Sequence, residues 1–202
     1  MTKTNSKITA IILAGGKSSR MGQDKAMLPV DGVPLILRVY QVASACTDTV
    51  YVVTPWQERY QKLLPSSCLF IREVVCEDEN NQTQSHGPLV GFAQALVHVN
   101  TEWALLLACD LPKLQVEILQ AWIQELDSKR EEAIAALVRH DQIGWEPLCG
   151  FYRHNCLTNL NKFINQGGRS FQQWLNQNPV DILPSPKMDM FFNCNKPDDL
   201  VM

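Results

Sequence analysis

The sequence predicts an α/β protein in three layers, with helices on both faces of a twisted, mainly parallel sheet. Three observations carry that expectation. Ile8 to Leu13, interrupted by one Thr, and Trp103 to Cys109 are apolar runs of the kind that form strands buried on both faces. Such runs alternate with helical patterns along the chain, as βαβ units require. The first run stops at Gly15-Gly16, so a turn opens at the carboxyl end of the first strand, where sheets of this class bind ligands.

After that turn, Leu35, Ile36, Val39, Val42 and Ala43 give one apolar face to a helix over Pro34 to Ala45. Val50 to Thr54 is a β-branched strand ended by Pro55. Trp56 to Leu64 reads as a short helix stopped by Pro65, and Leu69 to Val75 as a third strand. The acidic, amide-rich stretch from Glu77 to His86 reads as a loop. Gly87-Pro88-Leu89-Val90-Gly91 opens the next helix, with Pro88 where a missing N–H costs nothing. Trp103 to Cys109 is the expected central strand, closed by Asp110-Leu111-Pro112. A helix over Val116 to Leu126, strands over Ala133 to Val138 and Pro147 to Tyr152, and a helix over Asn155 to Asn165 follow. Right-handed crossovers would bring the ends of the first four strands to one edge, where Gly15, Thr54, Asp78 and Asp110 all fall.

The 202 residues suit a single domain, 1–202, and a chain of this length buries roughly 70% of the surface its unfolded form exposes. With 46% hydrophobic and 19% charged residues and a formal net charge of −3, the chain is not basic enough for a nucleic-acid surface. The seven cysteines include no C-x-x-C pair and sit in apolar segments, which points to buried free thiols in a reducing cytoplasm and to neither disulfides nor zinc. Met1 to Lys7 lacks the apolar core of a signal peptide, and no segment has the length of a membrane span.

Gly15 and Gly16 remove the Cβ atoms that would hold a ligand off the backbone and permit positive φ, so successive N–H groups can face one anion. Lys17, Arg20 and Lys25 add three cations to this turn, in a chain that is otherwise mildly acidic. The combination suits a polyphosphate. Neither G-x-x-x-x-G-K-[ST] nor G-x-G-x-x-G is present, which argues against a P-loop kinase and a dinucleotide oxidoreductase. Asp110, at the tip of an apolar run, needs a partner; a divalent cation bridging phosphate oxygens is one, and capping a helix near Pro112 is the alternative.

The pattern Leu13-Ala14-Gly15-Gly16-Lys17-Ser18-Ser19-Arg20-Met21-Gly22-Gln23-Asp24-Lys25 resembles the signature loop of nucleotidyltransferases, most closely that of the molybdenum cofactor guanylyltransferases. Cys109-Asp110-Leu111-Pro112 resembles their C-D-x-P motif, Glu77-Asp78 their E-D motif, and Gly87 to Gly91 their G-P-L-x-G segment. Asn193-Cys194-Asn195-Lys196-Pro197-Asp198-Asp199-Leu200 resembles their N-x-N-T-P-x-D/E-L ending, with Lys196 in place of Thr. The resemblance implies a Rossmann-like nucleotidyltransferase fold whose N-terminal part binds nucleotide and whose C-terminal part binds pterin. It implies that Leu13, Ala14, Gly15 and Gly16 with Lys25, Thr54, Asp78, Gly87 and Asp110 hold the nucleotide, that Arg20, Lys25 and Asp110 serve catalysis, and that Asp110 binds Mg²⁺. It places Asn193 and Asn195 on the pterin side. Arg169, beside two glycines that read as a helix end, offers a guanidinium for the phosphate of the second substrate.

The implied reaction moves GMP from GTP to the phosphate of molybdopterin, giving the guanine dinucleotide and pyrophosphate, with molybdenum-insertion proteins and molybdoenzyme acceptors as further partners. The residues leave open a CTP-dependent transferase acting on molybdopterin or a sugar phosphate, and a carrier that binds cofactor or nucleotide without turnover. His86, His98, His140 and His154 have no ligand spacing to one another, and the tryptophans read as core.

Overall fold

In a computed structural model of the chain, the described residues are 8–15, 24–77, 83–84, 86–185 and 188–192. Gly16, Lys17, Arg20, Asp78, Asn193 and Asn195 lie outside the described residues. The path begins with β1 (Ile8–Leu13) and, after a 3-10 turn at Lys25–Met27, a small hairpin of β2 (Pro29–Val30) and β3 (Val33–Pro34) turning at Asp31-Gly32. Next come α1 (Leu35–Ser44), β4 (Val50–Thr54), α2 (Gln57–Tyr60) and β5 (Leu69–Arg72). A two-stranded ribbon of β6 (Cys76–Glu77) and β7 (Thr83–Gln84) leads to α3 (Pro88–Leu96) and β8 (Trp103–Ala108). The second half runs through α4 (Val116–Glu125), β9 (Ala135–His140), β10 (Gly144–Arg153), α5 (Leu157–Asn165), α6 (Phe171–Asn176) and β11 (Val180–Ile182), ending in a 3-10 turn at Met188–Phe191.

Seven strands form one sheet in the order β11-β9-β10-β8-β1-β4-β5. All are mutually parallel except β10, which runs against β8 on one side and β9 on the other. The expected three layers are present. Ile8, Ala10 and Ile12 of β1 and Leu105 and Leu107 of β8 face Ile36, Val39, Leu119 and Trp122 of α1 and α4. The intervening Ile11, Ala104 and Leu106 face Leu89, Phe92, Leu160 and Trp174 of α3, α5 and α6. That two-residue alternation, apolar in both phases, is why the two long runs had to be central strands.

Several boundaries differ from expectation. The third strand ends at Arg72 rather than Val75, and α2 covers one turn of the expected helix. The stretch from Glu77 to His86, expected as loop, contributes the ribbon of β6 and β7. β10 starts at Gly144, three residues before expectation, and α6 and β11 were not expected at all. The described thiols are free, with Cys46, Cys68, Cys149 and Cys156 buried, as anticipated. Burial pushes the Cys46 and Cys68 thiols up to about 11. Among the described residues no helix is long and apolar enough to cross a membrane.

Candidate active site

β1, β4, β5 and β8 are parallel, so their carboxyl ends share one edge. Leu13 pairs with Ala108, and Cys109 N–H donates to Leu13 O at 3.2 Å. Gly15 and Asp110 each stand two residues past that pair, at the same edge of the sheet. Lys25 Nζ is 3.9 Å from Asp110 Oδ2, and the two side chains keep 23% and 22% of their surface exposed. A pair this open and this long contributes at most about 1 kcal/mol. Arriving phosphates and a cation can therefore separate it at little cost.

Lys25 is placed by its neighbour. Asp24 caps the Lys25–Met27 turn, its Oδ1 accepting from Ala26 N–H at 3.1 Å. Asp24 Oδ2 accepts the Tyr60 hydroxyl at 2.6 Å and lies 3.4 Å from Arg59 Nη1, whose guanidinium stacks on Trp56. The start of the turn is thus bolted to α2. Burial, followed by the bond to Asp24, raises the Tyr60 hydroxyl far above its ordinary value, so it stays a donor. The acidic residue before the lysine was visible in the sequence; its partners on α2 were not.

Burial raises the Asp110 carboxyl above its ordinary value, while Lys25 and Asp110's own backbone N–H oppose the shift. Helix capping does not explain this residue, because α4 begins at Val116 with Gln115 at its cap. Among the described residues no group of three or more His, Cys, Asp or Glu converges. A single, partly desolvated carboxylate beside a lysine fits a cation held by one carboxylate and substrate oxygens, the mode favoured by Mg²⁺.

Gly15 has a different reason to be glycine from the one the sequence suggested. Its φ is not positive. A Cβ built on it would lie 1.9 Å from Glu73 Oε2, so the close approach is made by a carboxylate of the protein itself. Glu73 is 5% exposed, and its N–H donates to Thr54 O at 3.1 Å. It went unnoticed in the sequence, although alternation puts it on the face of Ile71, with Arg72 between them exposed. Thr54 sits on the expected edge, buried, with Oγ1 accepting from Trp56 N–H at 3.1 Å, so it fastens the turn after β4. Gly87 starts α3 at φ +94, a backbone angle only glycine adopts freely, followed by Pro88 as expected.

On the other side of β8 stands a second group of side chains. Gly167 and Gly168 close α5 with N–H bonds to Ile164 O and Phe163 O, the Schellman pattern. Arg169 is exposed there, its Nη1 donating to Ile164 O and Gly168 O. His140, given no chemistry in the sequence reading, joins this side at the end of β9, with two residues that reading passed over: Glu146 on β10, whose carboxylate is 3.2 Å from His140 Nε2, and Lys113, over the Phe192 ring at 5.3 Å. Lys113 could have been noticed as a cation three residues after Asp110. The His140–Glu146 pair could not, since it depends on how β10 doubles back along β9.

Residues 10–180 match the MobA-like NTP transferase domain. A Nostoc protein named "Probable molybdenum cofactor guanylyltransferase" is 57% identical over 195 residues, covering 96% of this chain and 89% of its own. A Synechococcus elongatus protein of the same name is 43% identical over 190 residues, covering 94% of each. Among solved structures, the molybdopterin-guanine dinucleotide biosynthesis protein A of Archaeoglobus fulgidus superposes with a TM-score of 0.72 at 26% identity, over 95% of this chain and 94% of that one.

Proposed function

The chain belongs to the MobA-like NTP transferase family, and on that premise we propose that it is a molybdenum cofactor guanylyltransferase, moving GMP from GTP to the phosphate of molybdopterin in the cytoplasm. The observation that carries the reading is the pairing of Lys25 with Asp110 at 3.9 Å, at the carboxyl end of central strand β8, the edge to which the neighbouring β1 brings Gly15. The relatives' shared name supplies the substrates.

An oxygen of the acceptor phosphate forms a bond to the α-phosphorus of GTP, the bond from that phosphorus to the bridging oxygen breaks, and pyrophosphate leaves. A phosphate monoester has a second pKa near 6, so the nucleophile is already largely dianionic at neutral pH. No general base is needed, and no histidine need lie against the reacting phosphorus. The protein's task is alignment and charge neutralisation. Lys25, on a turn fixed by Asp24 and Tyr60, holds phosphate oxygens once it has parted from Asp110. Asp110 would hold Mg²⁺, which when bound neutralises charge on the phosphates. Leu13, Ala14, Gly15 and Gly87 edge the nucleotide side, with Gly16, Arg20 and Asp78 assigned there by resemblance. The pterin side falls to the C-terminal part, with Arg169, Asn193 and Asn195.

The test is pyrophosphate release with molybdopterin as acceptor and GTP, CTP or ATP as donor. GTP-dependent release supports the reading. Preference for CTP, or nucleotide binding without release, overturns it.

A further inference from the structure

We infer that Glu146, positioned by His140, is the carboxylate that recognises the heterocycle of the acceptor. The inference rests on the proposed reading that the acceptor is a pterin.

The argument starts from a break in regularity. β10 pairs Trp145 with Arg139 and then Gly150 with Leu137, so its register against β9 shifts between Trp145 and Gly150. Such irregularities re-aim a side chain. Here the distorted segment is pinned on either side of one residue. Gln172 binds the Trp145 backbone twice, Oε1 accepting from its N–H at 3.1 Å and Nε2 donating to its O at 2.6 Å. The Tyr152 hydroxyl donates to Pro147 O at 2.7 Å. Glu146 is the residue between those anchors, and 23% of its side chain remains exposed.

Its location is the correct one for an acceptor. Cys149 on β10 pairs with Leu107 on β8; Glu146 lies three residues before the first and Asp110 three after the second. Both therefore lie beyond the paired segment at the same edge of the sheet, on neighbouring strands. Glu146 is thus displaced from the reacting phosphates away from β1, β4 and β5, which carry the nucleotide residues. His140 lies one further strand out.

The second observation is the buried partner of that carboxylate. The His140 side chain is only 10% exposed, and its Nε2 lies 3.2 Å from Glu146 Oε1, so a buried imidazole engages one oxygen of the carboxylate and fixes its direction. The Phe191 ring packs edge-on against the imidazole, with centroids 5.5 Å apart, and holds it in place. With one oxygen facing that buried nitrogen and 23% of the side chain exposed, Glu146 presents the rest of its carboxylate at the surface, where a bound group can reach it. A pterin presents a ring N–H and a neighbouring amino group along one edge, two donors that match the two oxygens of a carboxylate.

The experiment is steady-state pyrophosphate release by the full chain with GTP and molybdopterin, together with calorimetric titration of GTP. Glu146→Gln replaces one acceptor oxygen with a donor of the same shape. It is expected to raise KM for molybdopterin about tenfold or more, with kcat and GTP affinity unchanged; His140→Gln is expected to raise the same KM by a smaller factor. Glu146→Asp, which keeps the charge, is expected to recover part of the loss. An unchanged KM for molybdopterin in Glu146→Gln overturns the inference. So does a parallel fall in GTP affinity and melting temperature, the mark of a purely structural role. Absence of release by the parent protein overturns the functional reading, and this inference with it.

Discussion

Replacing Gly15 by alanine tests the tightest contact at the site. The new Cβ would sit 1.9 Å from Glu73 Oε2, 3.1 Å from Glu73 Cδ and 3.4 Å from Pro55 Cδ, whereas real Cβ contacts keep beyond 3.0 Å. The carboxylate must therefore retreat by more than an ångström from a place where Glu73 is 5% exposed. Moving a buried carboxylate off its hydrogen bonds costs about 1–3 kcal/mol, and overpacking costs a similar amount. A net loss of about 2 kcal/mol lowers the melting temperature of a chain this size by roughly 4–8 °C. The assay is reversible thermal or urea unfolding of a double-mutant cycle. In a Glu73→Ala background the added methyl meets an emptied space, so Gly15→Ala should then cost little, leaving a coupling of about 1 kcal/mol or more. A melting temperature for Gly15→Ala within about 1 °C of the parent, or equal costs in both backgrounds, would refute the reasoning.

Two further outcomes are expected. Lys25→Ala should lower kcat/KM for GTP roughly thirtyfold, the equivalent of one charge-assisted bond of about 2 kcal/mol, while melting within about 2 °C of the parent because its pairing with Asp110 is weak; unchanged kinetics in the release assay would remove Lys25 from the site. At the far edge of the sheet, burial raises the Asp181 carboxyl, but Arg130, donating from its backbone N–H and guanidinium, outweighs this and holds it below the ordinary value. A lowered folded-state value contributes stability above the unfolded value that is lost as pH falls through the folded one. The melting-temperature gap between parent and Asp181→Asn should therefore shrink as pH drops below about 4. A gap that stays constant through that range would sink the assignment.

The parts of the fold that were legible in the sequence are those where one local rule decides. Trp103 to Ala108 is apolar in both phases of the alternation and could only be a central strand, and Gly87-Pro88 sets the start of α3 by backbone angle alone. The elements that were missed depend on distant partners. β11 is three residues long and is held by pairing with β9 and by Arg130 reaching Asp181 and Val180 O. Nothing within Val180 to Ile182 announces it. The same division runs through the site. Gly15, Lys25 and Asp110 were readable because loop chemistry and apolar runs flanked them. Glu73 was not, because a charged residue after a strand ordinarily faces water, and here it turns inward beneath Gly15.

The reversal of β10 has an evolutionary consequence. The chain doubles back at Asp141-Gln142-Ile143, a surface turn with Ile143 65% exposed, on the same rim that carries His140 and Glu146. Residues inserted there would lengthen a hairpin tip without touching the β1–β8 ladder that brings Gly15 and Asp110 to one edge. Insertions or deletions at this one bend can thus reshape that rim while the ladder on the other side of β8 stays as it is.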